Sequence, residues 1–217
     1  MRIVNLATRT LVCFALKEEA GAFRKLASGR TDVSILITGI GRKNAEKSVR
    51  EFLKENSPHH VFTCGFAGGL NPELETGDVV FFTDDASMAQ RLAAAGATPV
   101  KFHCAARIAT TAAEKTELRR TTGADAVEME SEVIHAECRP RRISCATVRV
   151  ISDTVDEDLP LDFNSLAKPD LSLDYGRLAW AVAKSPQKIS ALLRLQRQTH
   201  LCAVRLSEVL IAVIDVT

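Results

Sequence analysis

Residues 145–153 read CATVRVISD, an apolar, β-branched run that stops on an acid. Such a run marks a strand buried in a sheet. Runs of the same kind occupy 11–16, 33–38, 60–64, 79–83 and 100–104, and the run around the quoted stretch covers 143–151. Between them, 17–27, 44–55, 87–95, 112–120 and 131–137 carry helical patterns. Alternation of this sort predicts a mostly parallel sheet with crossover helices. Beyond Pro160 the rhythm changes: 171–184 and 186 to about 213 read as helices, the second broken near Thr199, with Ser185-Pro186 at the join. The expected fold is α/β: one domain over 1–217, a central mixed, mostly parallel sheet flanked by helices, and a helical C-terminal cover.

Composition narrows the function classes. Of 217 residues, 46% are hydrophobic and 25% charged, enough for a sizeable core. Lys plus Arg number 28 against 27 Asp plus Glu, so no broad basic surface is available for phosphates, and nucleic acid is not an expected partner. Cys13, Cys64, Cys104, Cys138, Cys145 and Cys202 are scattered without metal-type spacing and read as small core residues of a reduced, cytoplasmic protein. The start of the chain does not read as a signal peptide, and no stretch reaches the length of a membrane span. The five histidines form no metal-like cluster, so no metal and no cofactor is expected.

In open α/β sheets ligands gather beyond the carboxyl ends of the strands. That rule selects Glu18 and Glu19 after the first strand, 39–42 after the second, 65–71 after the third, 128–130 after a strand-like run ending at Val127, and Ser152-Asp153 after the last. TGIGR at 38–42 carries only part of a dinucleotide fingerprint; a tight turn explains it equally. The stretch 64–80, CGFAGGLNPELETGDVV, reads as a glycine loop whose amides can approach a ligand. Asp153, beside apolar walls, is expected to carry a proton near neutrality and serve as a general acid, or else to cap a turn. Glu128, Met129 and Glu130 fill a strand-to-helix crossing, where paired acids accept hydrogen bonds from a sugar diol and a methionine can lie flat against a ligand. Enrichment of acids at a helix N-terminus is the alternative.

Taken together, VEMES (127–131), RVISD (149–153), the glycine loop, TGIGRKNA (38–45) and ALKEEAGAF (15–23) resemble the nucleoside phosphorylase and nucleosidase superfamily, in the family's order. Within it the chain is similar to the methylthioadenosine/S-adenosylhomocysteine nucleosidases and, through ATTAAEKTELRRTTGADAVEMES (109–131), to the hopanoid-associated phosphorylase group. The resemblance implies cleavage of an N-glycosidic bond in a purine nucleoside. Asp153 would protonate the base, Met129 and Glu130 would hold the ribose with Glu128 behind them, and Glu19 would orient a nucleophilic water with Arg149 nearby. Phe66, Ala67, Gly68, Ile108 and Ser152 would line the base side, and Gly41 and Arg42 are the candidates for a phosphate contact.

Two departures favour water over phosphate: Phe66 stands where the family usually has a serine, and Thr63 where some phosphorylases have an arginine. The segment 84–99 is short, which leaves the 5' group open. The leading expectation is an adenine-type nucleoside hydrolase. The alternatives are a phosphorylase acting on a 5'-substituted adenosine such as a hopanoid conjugate, a nucleoside-binding protein without catalysis, and a nicotinamide-dependent oxidoreductase resting on the glycine pair alone. A homo-oligomer is expected, with LSEVLIAVIDV (206–216) read as core before subunit contact.

Overall fold

Central strands buried along nearly their whole length require cover on both faces of the sheet. In the computed structural model, which describes residues 9–165, 184 and 186–216, the strands are β1 (Thr10–Phe14), β2 (Val33–Ile37), β3 (His60–Gly69), β4 (Val79–Thr83), β5 (Thr98–Pro99), β6 (Phe102–Cys104), β7 (Ala126–Glu128) and β8 (Ser144–Asp153). They form one sheet of order β2-β1-β3-β8-β4-β5, with β7 on the far end of β3 and β6 beside β7. Pairings of β1 with β2, β1 with β3 and β3 with β8 are parallel; β4 runs antiparallel to β8, and β7 antiparallel to β3. The sheet is therefore mixed and mostly parallel, in a single α/β domain.

Alternate side chains go to opposite faces. Val12, Phe14, Phe62, Val148 and Val150 pack beneath α1 (Lys17–Leu26), α3 (Ala86–Ala94) and α6 (Ile189–Ile214). Leu11, Cys13, Val61 and Cys145 pack against α2 (Arg42–Glu55) and α5 (Ser131–Cys138). Local chemistry sets the helix starts. Asp85 accepts a hydrogen bond from Met88 N at 3.1 Å to begin α3, and Thr111 accepts one from Glu114 N at 3.2 Å to begin α4 (Ala112–Thr122). In α6, Cys202, Leu206, Leu210 and Ile214 recur every fourth residue and are buried, so the 206–216 stretch contributes to the core. Cys13, Cys64, Cys138, Cys145 and Cys202 are buried free thiols.

Three expectations need correction. The glycine stretch after residue 64 is strand, because β8 supplies pairing partners as far as Gly68 and β7 pairs Gly68 and Gly69. The last strand likewise continues to Asp153. The helix expected to break near Thr199 is continuous: the Thr199 hydroxyl donates to Leu195 O at 2.9 Å within α6. The helix expected over 171–184 lies outside the described residues, apart from Lys184. Among the described residues no helix is long and apolar enough to cross a membrane.

Candidate active site

Glu19 sits in the first turn of α1 and turns back over the end of β1. Its Oε2 accepts a hydrogen bond from Leu16 N at 2.9 Å, and its Oε1 accepts one from Phe66 N at 3.0 Å. The carboxyl is buried under β3, and Gly65 makes the room: φ there is 143°, and a β-carbon would lie 2.6 Å from Glu19 Oε1. Burial pushes the Glu19 carboxyl up to about 7, against the pull of Arg149 and the two amide donors. A carboxyl poised there can take a proton from water near neutrality.

Arg149 and Asp153 both belong to β8, four residues apart, with a shift in register against β3 between them at Ala67–Gly68. Arg149 is 1% exposed. Its Nη2 lies 2.7 Å from Glu128 Oε2, 3.2 Å from Glu130 Oε2 and 3.2 Å from Thr63 Oγ1, and its Nη1 donates to Cys64 O at 3.1 Å. Buried charge of this kind is tolerated only when paired. Here one guanidinium serves two glutamates directly and acts on Glu19 through space.

The two glutamates of the corner do different jobs. Glu128 Oε2 accepts from Glu130 N (2.9 Å) and Ser131 N (2.8 Å), and its Oε1 accepts from the Ser131 hydroxyl (2.6 Å), so this carboxylate satisfies the open N-terminus of α5. Burial pushes it up, but Arg149 and these donors outweigh burial and hold it below the ordinary range. Glu130 instead reaches across to α2, where its Oε1 accepts from Gly41 N at 2.8 Å. Burial, with the neighbouring Glu128 charge, holds the Glu130 carboxyl above its ordinary value despite Arg149. Met129, between them, is buried and faces the same cavity.

Asp153 lines the same cavity. The Ser152 hydroxyl donates to its Oδ1 at 2.6 Å, and Lys115 Nζ forms an ion pair with its Oδ2. The surroundings expected for Asp153 were apolar; a wholly buried ammonium from α4 stands there instead. Lys115 was not singled out from the sequence, because a lysine within AAEKTELRR reads as part of a solvated helix face.

Glu19, the Glu128-Met129-Glu130 corner, Arg149 and Asp153 line one cavity of about 240 Å³. Phe66, Ala67, Gly68, Ile108 and Ser152 line it too. Ile108 is fixed by Asn164: its N–H donates to Asn164 Oδ1 at 2.9 Å, and the Asn164 amide donates back to Ile108 O at 2.9 Å. Leu159, Phe163, Leu195 and Thr199 add an apolar margin that sequence reading did not assign. The two phosphate candidates are otherwise engaged, since Gly41 N–H is given to Glu130 and Arg42 pairs with Glu132 at the start of α5. Among the described residues no group of His, Cys, Asp and Glu is arranged to hold a metal ion.

The family model described as the phosphorylase superfamily matches residues 13–106 and 101–172. A 5'-methylthioadenosine/S-adenosylhomocysteine nucleosidase of Glaesserella parasuis is 28% identical over 186 residues, covering 69% of this chain and 80% of that enzyme. The enzyme of the same name from a Marinomonas species is 47% identical over 49 residues, a local match covering 23% of this chain and 21% of that one. Among solved structures, the futalosine hydrolase of Helicobacter pylori superposes with a TM-score of 0.71 at 13% identity, over 97% of this chain and 99% of the other.

Proposed function

The chain belongs to the phosphorylase superfamily, and on that footing we propose that it hydrolyses the N-glycosidic bond of a purine nucleoside of the adenine type, releasing the free base. The observation that carries this reading is the shared cavity, which Glu19, the Glu128-Met129-Glu130 corner and Asp153 line together. A riboside held there has its sugar hydroxyls at Glu130, its ring against Met129, and its base beside Asp153 and Ile108. The C1'–N bond breaks with its electron pair moving to the base, which takes a proton from Asp153. The sugar passes through an oxocarbenium-like state that the buried carboxylates favour electrostatically. Water held by Glu19 attacks C1' and gives its proton to that carboxylate, whose poise near 7 suits the task. Arg149 keeps three acids close together without placing its own charge at C1'.

Water is the preferred nucleophile because neither phosphate candidate lines the cavity: Gly41 gives its N–H to Glu130, and Arg42 lies outside the lining. A second reading, phosphorolysis of a 5'-substituted adenosine, draws on the apolar margin of Leu159, Phe163, Leu195 and Thr199, which suits an apolar 5' group such as a hopanoid tail. Adenosine, methylthioadenosine and inosine incubated with and without phosphate decide the matter. Free sugar and base at equal rates in both conditions are expected. A sugar 1-phosphate formed only with phosphate would establish the phosphorylase instead, and ligand binding with no turnover in either condition would establish a binding protein.

A further inference from the structure

The mechanism above leaves Lys115 unused, although it is among the largest fully buried side chains of the molecule. Burying an ammonium is costly, and an apolar residue would serve the packing of α4 better. This ammonium is nonetheless completely satisfied. Its three N–H groups meet three acceptors: Asp153 Oδ2, Thr154 O at 2.7 Å and Glu157 O at 2.8 Å. It thus pins α4, the end of β8 and the following turn to one point.

That point is where the base would be protonated. Asp153 Oδ1 is held by the Ser152 hydroxyl and Oδ2 by Lys115, so both oxygens, and hence the plane of the carboxyl, are fixed. The sheet side is closed: a β-carbon at Gly68 would lie 3.2 Å from Val127 Cγ1, 3.4 Å from Asp153 Oδ2 and 3.8 Å from Lys115 Cε. The carboxyl lines the cavity.

We propose that Lys115 is a positioning residue for proton delivery to the leaving base, acting through Asp153. The inference rests on the hydrolytic reading given above. Asp153, a carboxylate in its ion pair with Lys115, takes up a proton from solvent before the step; when the C1'–N bond breaks, its electron pair goes to the base and that proton moves from the Asp153 carboxyl to a ring nitrogen. Asp153 is left as a carboxylate whose new charge faces the Lys115 ammonium. A cation fixed beforehand against a developing charge favours the transition state without reorganising at the moment of reaction.

A substrate whose leaving group needs no proton separates this role from a merely structural one. Adenosine-type substrates depend on base protonation, whereas p-nitrophenyl riboside expels a stable phenolate. Lys115→Met is expected to lower kcat on the adenosine-type substrate by about 100-fold or more, in the range of general-acid catalysis, with KM little changed. Its kcat on p-nitrophenyl riboside should stay within about threefold of wild type. Lys115→Arg, which keeps the charge, should recover at least about tenfold of the loss, and adding Lys115→Met to Asp153→Asn should cost nothing further. An equal fall on both substrates, or a double variant whose losses multiply, overturns the proposal. If Lys115→Met yields no folded protein, the ratio of the two substrates in Lys115→Arg decides, since selective loss on the adenosine-type substrate supports the role and equal loss refutes it. A wild-type protein that cleaves neither substrate defeats the hydrolytic reading itself, and this inference with it.

Discussion

The carboxyl of Glu19 occupies the space that a β-carbon would need at Gly65: that atom would lie 2.6 Å from Glu19 Oε1 and 2.8 Å from Arg149 Nη1. Both neighbours are buried and hydrogen bonded where they stand, so moving either one breaks those bonds. Gly65→Ala must also adopt a φ of 143° that alanine resists. Overpacking of this kind costs about 1–3 kcal/mol in stability. A catalytic group displaced by about 1 Å loses about 100-fold in rate, so kcat/KM should fall by that much. A fully active Gly65→Ala protein would show that Glu19 is not where the chemistry happens.

The proton on Glu19 gives two pH effects of opposite use. Burial raises its carboxyl from 4.5 to about 7, so the folded protein keeps a proton through a range where the unfolded chain has lost it. This group therefore favours the fold below about 4.5, and that contribution is lost as pH rises through about 7. Relative to Glu19→Gln, the melting temperature of the wild type should fall as pH goes from 5 to 8. The size expected is on the order of 1–3 kcal/mol, reduced by the acceptor that glutamine takes away from Leu16 or Phe66. Activity runs the other way: kcat/KM should rise with pH through about 7 as Glu19 becomes a base. A flat rate profile across that range would remove Glu19 from the role of base.

Arg149→Met leaves Glu128 and Glu130 without their buried cation. Breaking a buried pair on one side costs about 3–5 kcal/mol, which urea unfolding would register as a clear drop in midpoint. Arg149→Lys should recover only part of this, because one ammonium cannot reach both glutamates together with Thr63 and Cys64 O. Unchanged stability in Arg149→Met would mean the acids are protonated or solvated.

Glu128 and Glu130 should separate cleanly when each is changed to glutamine. Glu128→Gln weakens the cap on α5 and removes one of the two carboxylates paired with Arg149, so its main effect should be a stability loss of about 3–5 kcal/mol. Glu130→Gln should leave the melting temperature closer to wild type but erode discrimination between ribosides and 2'-deoxyribosides, measured as the ratio of their kcat/KM values. If both variants lose stability alike and the ratio holds, Glu130 does not touch the sugar.

Much of this was readable before any coordinates, for a physical reason. Acids at the carboxyl ends of buried strands mark either a site or a cap, so Asp153, Glu19 and the Glu-Met-Glu corner stood out, Arg149 followed from the family resemblance, and all of them line one cavity. The glycines after residue 64 misled because glycine locally favours turns. Their strand conformation comes from partners far along the chain in β7 and β8. Lys115 left no trace at all: its burial depends on the bare backbone of Gly68 and on two carbonyls of the 154–157 turn, neither of which a helix pattern encodes. The apolar margin escaped for the same reason, since Leu159 and Leu195 lie far apart in the chain and meet only over the finished sheet.

Because β3 and β8 run well past their neighbours, Arg149 and Asp153 stand on extended, paired backbone, while Leu195 and Thr199 come from a helix laid over the rim. Under the proposed function, bond breaking and the choice of what hangs from the sugar would be anchored to separate parts of the architecture. Exchanging side chains along that helical rim should retune substrate preference while the reactive apparatus keeps its alignment, which makes this molecule a natural starting scaffold for altered nucleoside selectivity.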